Sequence, residues 1–228
     1  MEEHMSTESG QLDALTGLVN RKGFEGEIKA MVLQAIQTDA PLSLAFLDID
    51  HFKLLNDSLG HEAGDTLIRA VGNEIQTLGS PHATVCRYGG EEYTLLFPNT
   101  EREQAFLIVE QIRSAIDARQ TFSDGKNTVQ AHVTFSGGIS AVPIDAQDEN
   151  ELLRKADQAL YKAKNTGRNK IVLAYEEKMA PKTSHYTQTQ LERLSDLARE
   201  QGVGEAVLLR EALDNLLIKY RHAFTSRN

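Results

Sequence analysis

The chain has 228 residues, 40% hydrophobic and 25% charged, enough for one sizeable soluble domain and a small appendage. A net charge of −9 excludes a protein that coats nucleic acid without specificity, though not one with a local basic site. The lone cysteine excludes an intramolecular disulfide, and no apolar run approaches the ~20 residues that span a bilayer.

Residues 1–10 are acidic and polar. They read as a disordered leader, neither a secretory signal nor long enough for a sensor domain. Asn20 is placed to cap a helix beginning near Arg21, with Phe24, Ile28, Met31, Val32, Ala35 and Ile36 at helical spacing. The run Leu42 to Ile49 reads as a buried central strand closing on Asp48 and Asp50. An acid at such a strand end sits where ligands bind in open sheets. A short helical turn follows from His51 to Leu59, then a helix from about Ala63 to Leu78.

Two strand-like runs, at 83–86 and 93–97, flank Arg87-Tyr88-Gly89-Gly90-Glu91-Glu92-Tyr93. They predict a β-hairpin whose glycines take the positive φ angles of a tight turn. Adjacent acids at a hairpin tip repel, so Glu91 and Glu92 make sense around a cation. Cys86 falls in the first run and reads as a buried thiol in a reducing, cytoplasmic setting. Beyond lie a helix from Glu101 to about Arg119, a loop over Thr121 to Lys126, and a strand over Thr128 to Val142 interrupted by Gly137-Gly138. A helix from Asp148 to Asn165 stops at Gly167, and Ile171 to Ala174 is a last short strand. This order predicts an α/β (α+β) domain over 11–175, a mixed central sheet flanked by helices.

Residues 176–182 read as a polar, proline-ended linker. Residues 183–228 carry two amphipathic helices, from about Thr187 to Glu200 and from about Glu205 to Phe224. So short a helical pair must bury its leucines on the main domain or on a second copy.

Phosphoryl transfer from a nucleoside triphosphate needs a divalent metal with oxygen ligands. Asp48 at the strand end and Glu91 at the hairpin tip can supply them if their strands are neighbours, with Glu92 a second acid in reach. Lys53, Lys164 and Arg168 supply cations for phosphates, the last two four residues apart at a helix terminus. Asn56 and Asp65 are the right types to read guanine. Asp50 is either a second ligand or a cap for the turn that follows, the cap being the simpler reading. His51 and His61 read as local hydrogen-bonding groups.

Four stretches together resemble the GGDEF family of diguanylate cyclases, here with a GGEEY motif. They are residues 13–21, Leu47 to Asp65, Gly89 to Tyr93, and Ala159 to Lys170. The resemblance implies a nucleotidyl-cyclase, polymerase-palm-like fold. It implies that two GTP molecules are joined into cyclic di-GMP with release of two pyrophosphates, one GTP per domain of a facing dimer. It implies Mg2+ (or Mn2+) held by Asp48, Glu91 and the main-chain carbonyl of Ile49. It further implies guanine on Asn56 and Asp65, phosphates on Lys53, Lys164 and Arg168, and close backbone approach at Gly89 and Gly90. Glu91, Glu92 and Lys53 are the expected catalytic residues.

Two departures stand out. Tyr93 replaces the family's usual phenylalanine and must place a hydroxyl. Ser80-Pro81-His82-Ala83 stands where many members carry an Arg-x-x-Asp product-inhibition site, so no inhibition through it is expected.

The segment from Thr183 to Tyr220 resembles a ribbon-helix-helix module, which dimerises by pairing a strand between two chains. Residues 180–228 carry +1, leaving −10 for the rest. Homodimerisation through 183–228 is therefore the favoured role and DNA binding the less favoured partner. The rival readings of the whole chain are a non-catalytic GTP-binding signalling protein and a DNA-binding regulator acting through this module.

Overall fold

A computed structural model describes residues 9–174 and 184–201, with 204–206, 208, 209, 212, 213 and 216. The chain divides into two compact units, Met1–Glu177 and Lys178–Asn228. The linker read at 176–182 lies outside the described residues, as does much of the second C-terminal helix.

The strands of the first unit are β1 (Val19–Asn20), β2 (Leu42–Ile49), β3 (Thr84–Arg87), β4 (Glu92–Pro98), β5 (Thr121–Ser123), β6 (Thr128–Gln130), β7 (Phe135–Val142) and β8 (Ile171–Leu173). Its α-helices are α1 (Arg21–Thr38), α2 (Phe52–Leu59), α3 (His61–Gly79), α4 (Arg102–Asp117) and α5 (Glu149–Asn165). Six strands form one sheet in the order β1-β3-β4-β2-β7-β8. The outer pairs β1/β3 and β7/β8 are parallel and the inner pairs antiparallel. This is the expected mixed sheet flanked by helices.

β2 is buried at all eight positions between β4 and β7. Strand alternation sends Leu42, Leu44 and Phe46 to one core and Ala45, Leu47 and Ile49 to the other. The first core takes Phe24, Ile28 and Val32 of α1 with Leu152, Ala156 and Leu160 of α5. The second takes Leu67, Val71 and Ile75 of α3 with Val109, Ile112 and Ile116 of α4. Helix starts follow the local signals. The Asn20 side chain accepts the Gly23 N–H at 3.0 Å, and Asp148 accepts that of Glu151 at 2.8 Å.

Two expectations fail. The loop read over Thr121 to Lys126 opens with β5, which pairs with β6 as a hairpin separate from the main sheet, and the strand read over Thr128 to Val142 is two strands, β6 and β7, parted at 131–134. β7 runs unbroken through Gly137 and Gly138, because those glycines make room rather than a turn. A Cβ on Gly138 would lie 2.1 Å from the Ala156 carbonyl oxygen and 2.2 Å from the Leu160 nitrogen. The α5 backbone therefore rests directly on this strand.

Tyr93 finds a place for its hydroxyl. The ring is buried, and its Oη donates to the Ile68 carbonyl of α3 at 2.8 Å. Tyr93→Phe removes one buried hydrogen bond and no apolar surface. The expected loss is about 0.5–1.5 kcal/mol, read by urea unfolding.

In the second unit, α6 (Gln188–Gln201) matches the expected first helix. Residues 184–187, where a ribbon would begin, carry no strand.

Candidate active site

The parity of β2 decides where its acid points. Asp48 continues the Leu42, Leu44 and Phe46 face, which α5 covers. Lys164, in the last turn of α5, reaches it with Nζ 2.8 Å from Asp48 Oδ2. The register of β2 with β4 sets Glu92 directly across from Asp48. Glu91 lies one residue further out, and its carbonyl accepts the Ile49 N–H at 3.2 Å. The immediate cross-strand neighbour of Asp48 is thus Glu92, one position beyond the partner that spacing suggested.

Burial pushes the Asp48 carboxyl above the usual range, against the pull of Lys164. Burial also raises Glu92, and the charges of Asp48 and Glu91 add to the shift. A raised carboxyl contributes stability that is full below its unfolded pKa and is lost as pH rises through the folded value. Glu92→Gln removes that loss. Its melting temperature should exceed the parent's at neutral pH, with the gap closing in acid, measured by thermal melts from about pH 4 to 8.

Among the described residues no three His, Cys, Asp or Glu side chains already converge on one point. Asp48 and Glu92 side by side, with Glu91 next along the chain, still fit a hard cation. Mg2+ binds through one or two carboxylates and completes its shell with water and substrate phosphate. Mutual repulsion of the acids is the feature a cation would relieve.

The hairpin differs from expectation in its backbone. Neither Gly89 nor Gly90 has a positive φ. Residues 88–91 form a wider loop, closed by the Tyr88 and Gly89 N–H groups on the Glu92 carbonyl at 2.9 and 3.3 Å. A Cβ on Gly89 would lie 2.3 Å from Glu92 Oε2, so a side chain there would push the Glu92 carboxylate aside. Arg87 braces the loop by donating to the Gly90 carbonyl from Nη2 at 2.8 Å, and from Nη1 to both Asp13 oxygens at 3.0 and 3.1 Å. Burial raises the Asp13 carboxyl, but hydrogen bonds from Thr16 and Arg87 outweigh it and hold the group below its usual range. Tyr88 packs edge-on against Phe24 and Phe46, under the Arg21 guanidinium at 4.8 Å. Residues 13–21 therefore support the hairpin. Sequence reasoning placed them in the motif set without seeing this role.

Asp50 and His51 alone separate β2 from α2, which carries Lys53 and Asn56. The Asn56 side-chain oxygen is buried and has no hydrogen-bond partner among the described residues. Such an orphan costs about 1–3 kcal/mol, which a ligand N–H would recover. A Cβ on Gly64 would sit 1.7 Å from that oxygen, so glycine leaves it room. Asp65 follows on α3 and is exposed. Lys53 is exposed and makes no hydrogen bond or ion pair among the described residues.

Asp50 is neither a cap nor an open ligand. It is buried, and its oxygens accept Ser136 Oγ at 2.7 Å, Thr134 Oγ1 at 2.8 Å and the Asn169 main-chain N–H at 3.0 Å. These partners lie 84 to 119 residues away, beyond any local signal. Arg168, just before Asn169, lies in electrostatic reach of Asp48 and draws its carboxyl down. The structure thus gathers Asp48, Glu92, Lys164 and Arg168 at one sheet edge, and sets Asn56 against Gly64 beside Asp65. Cys86 is a buried thiol, pushed up to about 12 by burial.

Residues 10–170 match the family model described as "Diguanylate cyclase, GGDEF domain". The chain belongs to the GGDEF family. A curated diguanylate cyclase of Vibrio cholerae is 36% identical over 161 residues, covering 71% of this chain and 49% of that relative. The chain thus spans about half the relative's length. The solved coiled coil and GGDEF domain of DgcB from Caulobacter crescentus, in complex with c-di-GMP, is 32% identical with a TM-score of 0.69, covering 75% of this chain and 91% of that one. The active GGEEF domain of a diguanylate cyclase from Vibrio cholerae is 34% identical with a TM-score of 0.64, covering 70% and 99%. The family thus accepts a glutamate at the motif's third position, as Glu91 here. C-terminal to the GGDEF domain, residues 181–221 match a ribbon-helix-helix domain model. Among the described residues no helix is long and apolar enough to cross a membrane.

Proposed function

We propose that this chain is a diguanylate cyclase that condenses two GTP into cyclic di-GMP and releases two pyrophosphates. The observation that carries the reading is the pairing of Asp48 with Glu92 across the sheet, with Lys164 on the same face and the orphaned Asn56 acceptor on the helix that follows. Asp48, Glu91 and the Ile49 carbonyl hold Mg2+, or Mn2+ in its place. The metal, when bound, neutralises charge on the triphosphate. Asn56 and Asp65 accept the guanine N–H groups. Lys53, Lys164 and Arg168 bind phosphate, and Gly89 keeps the hairpin backbone clear. Glu92, whose pKa is raised, receives the proton as each 3′-hydroxyl attacks the α-phosphate of the other nucleotide. Purified protein incubated with GTP and Mg2+ should form cyclic di-GMP. Binding of GTP without product would favour the non-catalytic reading instead. Asp65 favours guanine on both sides, so mixtures of GTP and ATP should give no adenine-containing product.

One GTP per domain requires two domains face to face. The ribbon-helix-helix match and the exposed Leu191, Leu197, Leu213 and Leu216 support residues 183–228 as the dimerising module. Tethering would raise the effective concentration of one catalytic domain beside the other. Sedimentation of the chain with and without residues 180–228 tests this, and two monomers would refute it. The same family match keeps a DNA-binding regulator as the second reading, tested by gel shift with genomic fragments.

Residues 80–83 follow α3 as a turn with neither guanidinium nor carboxylate. Cyclic di-GMP should therefore not inhibit through this position. Inhibition at micromolar product that disappears on changing residues 80–83 would refute that.

A further inference from the structure

We infer that Asp50 is a positioning residue that sets Arg168 for the nucleotide's phosphates. The inference rests on the proposed reading of Arg168 as a phosphate contact.

The chain leaves α5 through an unusual corner. Gly167, Arg168 and Asn169 have φ of 114°, 59° and 45°. Left-handed backbone at two successive non-glycine residues is strained by roughly 1–2 kcal/mol each and persists only where the surroundings enforce it. Here they do. The Arg168 N–H donates to the Ala163 carbonyl at 3.0 Å. The Asn169 side chain accepts from Arg113 Nη1 at 2.6 Å and donates to Asp117 Oδ2 at 3.1 Å. The Asn169 main-chain N–H donates to Asp50 Oδ2 at 3.0 Å. Asp50 is in turn held by the Thr134 and Ser136 hydroxyls, on and just before β7.

What the corner presents is a free cation. Arg168 makes no side-chain hydrogen bond or ion pair among the described residues, unlike Lys164, which is paired to Asp48. Its charge is felt at Asp48. A helix continued past Asn165 would aim residue 168 elsewhere, because a left-handed backbone redirects the side chain. Two carboxylates two residues apart thus do different work. Asp48 faces the acid cluster, and Asp50 fixes the cation opposite. Three donors commit Asp50 to the corner, with both of its oxygens already accepting hydrogen bonds.

The test uses the full chain with Asp50→Ala, Asp50→Asn, Arg168→Ala and the double variant Asp50→Ala/Arg168→Ala. The readouts are the Kd of a non-hydrolysable GTP analogue with Mg2+, the Mg2+ midpoint, and KM against kcat. Asp50→Ala should weaken nucleotide binding by about tenfold, approaching Arg168→Ala. The double variant should bind no more weakly than Arg168→Ala alone, since both changes remove one interaction. Asp50→Asn keeps an acceptor for the Asn169 N–H and should recover most of the affinity. If Asp50→Ala does not fold, Ser136→Ala replaces it. That change removes a hydroxyl that holds the Asp50 carboxylate in place and should also weaken binding. Additive losses in the double variant would overturn the inference. So would an Asp50→Asn variant that binds as weakly as Asp50→Ala, or a lowered melting temperature with unchanged Kd. If Arg168→Ala itself leaves Kd unchanged, the phosphate reading of Arg168 fails first and the inference with it.

Discussion

Asp48→Asn is expected to lower cyclic di-GMP formation by about 10³-fold or more while leaving the fold intact. A metal's charge stabilisation of a phosphoryl transition state is worth several kcal/mol, and each ~1.4 kcal/mol is a factor of ten in rate. The substitution keeps the shape of the side chain and removes its charge. It should not unfold the protein, because burial already disfavours the ionised Asp48. Lys164 loses its partner but is partly exposed and can turn to water. Product formation from GTP and thermal melts read the two effects separately. A variant with near-parent turnover would remove Asp48 from the proposed metal site.

Gly138→Ala is expected to destabilise the protein by about 3 kcal/mol, the upper range for overpacking, lowering the melting temperature by about 6–12 °C. The added methyl meets the α5 main chain at 2.1 and 2.2 Å, where no rotamer change gives relief. Either α5 lifts from β7 or β7 shifts against β2. The first moves Lys164 away from Asp48, so activity should fall even at temperatures where the variant stays folded. Gly64→Ala makes a useful contrast. Its nearest clash, at 1.7 Å, is with the end of the flexible Asn56 side chain. It should displace the proposed guanine contact of Asn56 and raise KM for GTP with a smaller change in stability.

Much of this could be read from short stretches of chain. The helix starts at Arg21 and Glu149 follow from Asn20 and Asp148, whose side chains satisfy amides three residues on. Burial of β2 follows from eight residues with no polar break before Asp48 apart from Ser43. Period and capping act within a few residues, so sequence reports them. The short β5 strand sits in a stretch read as a loop, because three residues are too few to set a pattern.

The acid types and their place at a strand end and a hairpin were therefore decided by the sequence alone. Which acid faces which was not. Register between β2 and β4 pairs Asp48 with Glu92, and a slip of one residue would have turned every side chain of the strand to the other face. Only tertiary structure reveals that Arg87 ties the hairpin to Asp13 and that Asp50 holds a corner 119 residues away. Those relations depend on contacts between distant segments, which form only when both faces of the sheet are covered.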